Sequence, residues 1–235
     1  MALRILHRFD FPTDPESTRQ LVDYAQGARG TEACLEAEAY RGLRQDTDVA
    51  IVELWRDEEA YAAHLAATPD ALPLVLARED RASTEIYAHE YVAPVEGVWT
   101  AASRPTTRAI AWPARGEVRI AIQTTIADPE HERPALIANE LETLREPGCL
   151  EFAWMRGIEN PQHILLVEAW ASQRIYDQHW ILRRRTASAP PRQPGERTLG
   201  TNGAEFYRRE QFRLLYGLWV PADETAWSCT VDWPA

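Results

Sequence analysis

Lysine is missing from this chain altogether, since all 25 basic residues are arginine. That excludes Schiff-base chemistry on a lysine amine and a Walker-type phosphate loop, both of which need that side chain. Cysteine is scarce and odd in number, at Cys34, Cys149 and Cys229. Such a set makes no disulfide framework, and a reducing cytoplasm is the expected compartment. No segment approaches the roughly 18 consecutive apolar residues of a membrane span, and Arg8 and Asp10 interrupt the first apolar stretch. Neither secretion nor a membrane partner is expected. The histidines (His7, His64, His89, His131, His163 and His179) show no His-Glu-x-x-His spacing, and Cys-x-x-Cys, Gly-x-Ser-x-Gly and Gly-x-Gly-x-x-Gly are missing too. Metal, serine-nucleophile and dinucleotide chemistry therefore lack a signal, and no bound metal or cofactor is expected.

What is present is the composition of an ordinary folded protein, 45% apolar and 26% charged over 235 residues. A net charge of −11 and a pI near 5.1 repel phosphate backbones, so no nucleic-acid partner is expected. The strongest feature is a repeat. Residues 34 to 64 return at a constant offset of 115: Cys34, Leu35 and Glu36 as Cys149, Leu150 and Glu151, Arg41 and Gly42 as Arg156 and Gly157, Val52 and Glu53 as Val167 and Glu168. Trp55 returns as Trp170, Tyr61 as Tyr176 and His64 as His179. Chance rarely places Trp, Tyr, His and Cys in one register, so the chain reads as two copies of one domain, residues 1–114 and 115–235.

Each copy alternates apolar and polar residues from Leu3 to Phe11 or Val118 to Ile126, which predicts a first strand. Asp14-Pro15-Glu16 and Asp128-Pro129-Glu130 follow, with a capping carboxylate, a preset φ and an anion at the positive end of a helix. Helical spacing places Leu21, Val22, Ala25 and Ala28, or Ile137, Leu141 and Leu144, on the buried face. A hairpin comes next, then a second helix opened by Asp57 or Ser172, and a fourth strand around Tyr87 or Tyr207. The order strand, helix, strand, strand, helix, strand is the split βαβ ferredoxin-like unit. One sheet face takes the helices, and the second copy can cover the other by packing sheet on sheet. The expected class is α+β: two tandem ferredoxin-like domains forming an intrachain dimeric α+β barrel.

The residues Pro147-Gly148-Cys149-Leu150-Glu151-Phe152, Val167-Glu168-Ala169-Trp170, a capped helix, and Tyr176 with His179 resemble the antibiotic biosynthesis monooxygenase family. Copy one carries a weaker form in Ala33-Cys34-Leu35-Glu36, Val52-Glu53-Leu54-Trp55 and Tyr61 with His64. The resemblance implies a pocket between each sheet and its helices. It also implies a cofactor-independent oxygenase that oxidises a hydroquinone or anthrone from an aromatic polyketide pathway with O₂. Oxidative ring opening of an angucycline is a narrower form of that expectation. A separate flavin reductase would supply reduced substrate where needed, and a homodimer of the tandem chain stays open.

Triplet oxygen accepts an electron only from an electron-rich donor, such as a deprotonated polyphenol, so the protein must bind a flat aromatic, take a proton, hold the anion and exclude water. The family's anthrone oxygenases share the six-residue Trp-to-Tyr spacing of Trp170 and Tyr176. Trp170, Trp154, Trp180 and Phe152 are the candidate stacking surfaces, and His179 is the candidate base. Tyr176 and Arg156 are the candidate anion holders. Trp55, Tyr61, His64 and Arg41 form the equivalent set in copy one. The bland alternatives are a buried core tryptophan, a structural histidine, and an arginine paired with Glu168 or Glu151. Copy two is expected to be the active one, because Phe152, Trp154 and Trp180 replace Ala37, Ala39 and Leu65. The tract from Arg183 to Gly203 reads as a lid or as disorder. Rival functions are a haem-binding relative, against which stands the lack of an asparagine on the first strand, and a non-oxidative cyclase or binding protein.

Overall fold

The computed structural model describes residues 3–68, 83–88, 92–95, 98–101, 116, 118–172, 175, 176, 178, 179, 203–208, 212–215, 218–221 and 231–232. Copy one runs β1 (Leu3–Asp10), α1 (Pro15–Arg29), β2 (Cys34–Gly42), β3 (Asp48–Trp55), α2 (Glu58–Ala67) and β4 (Ser83–Ala88). It ends in two short strands, β5 (Val92–Val95) and β6 (Val98–Ala101). Copy two repeats the order with β7 (Val118–Thr125), α3 (Pro129–Thr143), β8 (Cys149–Gly157) and β9 (His163–Trp170). Helical residues 175, 176, 178 and 179 follow. The chain then runs through β10 (Gly203–Arg208), β11 (Phe212–Leu215), β12 (Leu218–Pro221) and β13 (Val231–Asp232).

The helix starts form as the sequence predicts. Asp14 accepts the backbone N–H groups of Glu16 and Ser17 at 3.0 Å, Asp57 that of Ala60 at 2.8 Å, and Asp128 that of His131 at 3.1 Å. Gly148, after α3, has φ +84°, and a Cβ there would lie 2.6 Å from the Ile175 side chain. Only glycine combines that conformation with that closeness.

Eight strands make one antiparallel sheet in the order β10-β7-β9-β8-β2-β3-β1-β4. The copies are joined by backbone pairing of β2 with β8, where Tyr40 faces Gly157, Arg41 faces Arg156 and Gly42 faces Met155. Arg41 and Arg156 are each other's repeat equivalents, so the junction has the symmetry of a two-fold axis. Packing across the sheet is also present. Leu6, Tyr40, Ala50 and Val52 of copy one share a core with Ala121, Ala153, Met155, Leu165 and Val167 of copy two. The sheet therefore curls until the helix-free faces of its halves meet. The tails are exchanged as well, because β13 pairs with β6.

Alternation along each strand reflects these two coverings. Ile5 and Phe9 of β1 face the α1 side with Ala28 and Leu21, while Arg4, Leu6 and Arg8 face the other copy. In α3, Ile137 and Leu144 pack on the core as expected, but Leu141 is 43% exposed and Glu140 is buried in its place. Glu140 turns inward because the Trp154 backbone N–H needs an acceptor, which it supplies at 3.0 Å while also pairing with Arg44.

Candidate active site

In copy two, the strand pair β8 and β9 presents Phe152, Trp154 and Trp170 to the helical side, where Tyr176 and His179 close over them. Ser172 opens that helical stretch by accepting the Ile175 N–H at 3.3 Å, and residues 176 and 179 then fall one turn apart on one face. The His179 ring lies over Trp170 with centroids 4.5 Å apart, and stands 6.3 Å from both Tyr176 and Phe152. All five side chains are buried. The indole N–H of Trp170 donates to Glu168 at 2.8 Å, and that of Trp154 to Asn139 at 2.9 Å. Both indoles are thereby fixed in plane, and Trp170 forms a floor beneath the imidazole.

The group that sequence reasoning missed is Glu146, in the turn after α3. Its Oε2 lies 2.6 Å from Nδ1 of His179, whose side chain is 2% exposed. An ionised carboxylate only accepts, so Nδ1 carries the proton and Nε2 is the basic nitrogen. A carboxylate behind an imidazole also stabilises the cation formed when Nε2 takes a second proton. The repeat held a signal: Glu146 falls on Thr31 of copy one, so the carboxylate is present in one copy alone.

Arg156 is not brought to this cluster. It lies four residues beyond Phe152, roughly 13 Å along the strand, and its guanidinium pairs with Glu130 rather than with Glu168 or Glu151. Arg41 likewise leaves the Trp55 cluster and holds a turn together, donating to the carbonyls of Pro12 at 2.6 Å and Asp46 at 2.8 Å. Both arginines line a hollow of about 270 Å³ at the junction of the copies. Trp180, and residues 183–202 of the tract read as a lid, lie outside the described residues.

Copy one keeps the floor and changes the walls. His64 lies over Trp55 at 4.7 Å, with Tyr61 5.9 Å from that indole. Glu53 accepts from Trp55 at 2.6 Å and from the Tyr24 hydroxyl at 2.5 Å, and His7 approaches it at 3.3 Å. Burial raises the Tyr61 phenol above its ordinary range and lowers His64 below it, so both stay neutral at pH 7. A cleft of about 540 Å³ opens between α1 and α2. Cys34 and Cys149 are free thiols pushed up to about 12, first by burial and then by Glu53 or Glu168, which removes them as nucleophiles. Among the described residues no group of three or more His, Cys, Asp or Glu side chains could hold a metal ion, and no helix is long and apolar enough to cross a membrane.

A family model described as antibiotic biosynthesis monooxygenase matches residues 9–69 and 119–180, together more than half of the chain. No curated protein matches the sequence. Among solved structures, a candidate monooxygenase of Fusobacterium nucleatum is 18% identical with a TM-score of 0.34, over 80% of this chain and 81% of its own. A variant of SnoaB, a cofactor-independent oxygenase from Streptomyces nogalater, is 16% identical with a TM-score of 0.33, over 40% of this chain and 98% of its own. An anthrone oxidase-like protein is 15% identical with a TM-score of 0.29, over 82% and 80%.

Proposed function

Because the chain belongs to the antibiotic biosynthesis monooxygenase family, we propose that it is a cofactor-independent oxygenase that oxidises an aromatic polyketide of the anthrone or hydroquinone type with O₂, and that copy two carries the reaction. The observation that supports this reading is the His179–Glu146 pair at 2.6 Å in a buried aromatic cluster.

For an anthrone, Nε2 of His179 takes a proton from the substrate, and the carbanion that remains is delocalised into the phenolate form. That anion gives one electron to O₂, the two radicals combine, and the carbon-bound peroxide loses water. One oxygen atom ends in the new carbonyl, and the other leaves with the two hydrogens of the former methylene carbon. No outside reductant enters the balance. The protein supplies an oriented base, the Tyr176 phenol as a donor to the developing oxyanion, and a site that excludes water. Arg156, held by Glu130 at the far end of β8, has no part in it.

The test is oxygen consumption by metal-stripped protein given an anthrone, measured above the spontaneous rate with the absorption spectrum recorded. Uptake that needs the enzyme, without a flavin or Soret band, is expected. His179→Ala should slow it by about 10² to 10⁴. Tight binding without uptake would replace the oxygenase with a carrier or cyclase.

A further inference from the structure

The hollow of about 270 Å³ where the copies meet takes no part in the chemistry above. It lies over the ladder of β2 with β8, near the starts of two helices: Thr13 and Thr18 flank the start of α1, and Arg133 stands in the second turn of α3. Equivalent stretches of both copies make its walls. Arg41, Gly42 and Leu43 line it from copy one, and Arg156, Gly157 and Ile158 from copy two. One position breaks the symmetry. Asp46 lines the hollow from copy one, but its equivalent in copy two is Pro161, so three arginines share a single lining carboxylate.

Positive charge gathers here in a chain whose net charge is −11. Arg41 and Arg156 face each other directly across the antiparallel ladder, where like charges repel. Both Nη atoms of Arg41 are bonded to neutral oxygens, the carbonyls of Phe11, Pro12 and Asp46 and the Thr18 hydroxyl. Burial pulls this guanidinium below its ordinary value, and Asp46 and Asp14 oppose that only in part. Arg133 reaches across to the Leu43 carbonyl through Nε at 3.1 Å and Nη2 at 2.7 Å, with Asp46 at 3.5 Å and Glu130 at 4.0 Å. Arg156 gives Nη1 to Glu130, which is 63% exposed and so screened by water. Its Nε and Nη2 donate to no described residue.

We propose that this hollow binds one small oxyanion, of the phosphate or short dicarboxylate kind, between Arg156 and Arg133 of copy two and Arg41 of copy one. Size sets the class, since the hollow lies just under the ~300 Å³ at which pockets for larger organic molecules begin and has no room for a polycyclic aromatic. Charge sets the valence: three guanidiniums against one carboxylate leave two positive charges, which a dianion cancels. The open N–H groups of Arg156 form a fork for two oxygens. The Thr18 hydroxyl accepts from Arg41 and still has its own proton to give. The bound anion touches both copies, so its occupancy holds them together and stabilises the fold. Nothing in this depends on the oxygenase chemistry.

The experiment is calorimetric titration of the full chain with inorganic phosphate and with malonate at constant ionic strength, with thermal unfolding followed at each concentration. One anion per chain is expected, with a Tm that rises with occupancy and does not rise with sodium chloride at the same ionic strength. The tighter of the two anions assigns the ligand to the phosphate or the dicarboxylate class. Arg156→Gln, which removes the open fork, should weaken binding about tenfold. Arg19→Gln should leave it unchanged, because Arg19 is the repeat equivalent of Arg133 but lies outside the hollow. Asp46→Asn removes the lining carboxylate and should tighten binding about threefold, a gain that a damaged fold would not give. Failure of both anions to bind, equal affinity in Arg156→Gln and wild type, weaker binding in Asp46→Asn, or a Tm rise matched by sodium chloride would each overturn the proposal.

Discussion

Glu146 and Thr31 occupy the same position in the two copies, and a single carboxylate separates what His179 and His64 can do. Glu146→Gln keeps the shape but takes the charge from behind the imidazole. It should lower kcat by about tenfold to a hundredfold with KM little changed, and move the acidic limb of the pH–rate profile down, because the imidazolium loses its counter-charge. An equal loss in an Arg156→Ala variant would sink that assignment. The Trp, Tyr and His of both clusters were legible in the sequence because four rare residue types kept one register. Glu146 was not, being one of 36 acidic residues, with its partner 33 positions away. Arg156 misled for a different reason. Strand parity names the face of a residue but not its distance along that face, and two pleats separate Arg156 from Phe152. The thiols give a chemical check at the same scale. With Cys34 and Cys149 pushed up to about 12, neither should alkylate at pH 8 in the native state, and both should do so on unfolding.

Elements follow local rules where those rules act alone. Asp14, Asp57 and Asp128 cap three helices because an acidic side chain before a helical pattern has one good use. Gly148 is more demanding, since its positive φ and the Ile175 contact both forbid a side chain. Gly148→Ala should cost about 1–3 kcal/mol, read as a lowered Tm, and should loosen His179 as well, because Ile175 belongs to the same helical stretch. A variant as stable as wild type would show that the turn has slack. In α3 the apolar pattern named Leu141, and the fold chose Glu140. The pattern counts burial of apolar surface, whereas the Trp154 N–H required an acceptor, and hydrogen-bond demand on a neighbouring strand leaves no mark on the helix's own periodicity. Glu140→Ala, which removes that acceptor and the partner of Arg44, should destabilise by about 1–3 kcal/mol.

Across the whole molecule the copies are tied by buried charges that repeat with the sequence. Arg4 pairs with Glu36 in copy one as Arg119 pairs with Glu151 in copy two. Arg8 crosses to Glu151 as its equivalent, Gln123, crosses to Glu36. Burial alone would raise the Glu151 carboxyl, but Arg119 and Arg8 outweigh it and bring it to about 2 from 4.5. A carboxyl lowered in the folded state contributes stability above its unfolded value and loses it as protons return. Stability should therefore fall as pH drops from about 4.5 toward 2, and Glu151→Gln should flatten that limb. Arg8 keeps Asp48 and Arg119 keeps Glu85 when this charge is removed, so the cost should be about 1–3 kcal/mol in thermal or urea unfolding. The sheet-on-sheet cover was legible because an uncovered apolar face needs a partner. The edge pairing of β2 with β8 was not, since it is made by backbone groups that every residue carries.

That ladder places Arg41 opposite Arg156, a residue against its own counterpart. In an assembly of two identical chains any change at such a point is made twice, so a mismatch between facing residues can never be tried. Linking the halves in one polypeptide lifts that restriction and removes dilution as a threat to the pairing. Divergence of Thr31 from Glu146, or of Ala39 from Trp154, is available only to a protein whose halves are inherited together but mutated separately.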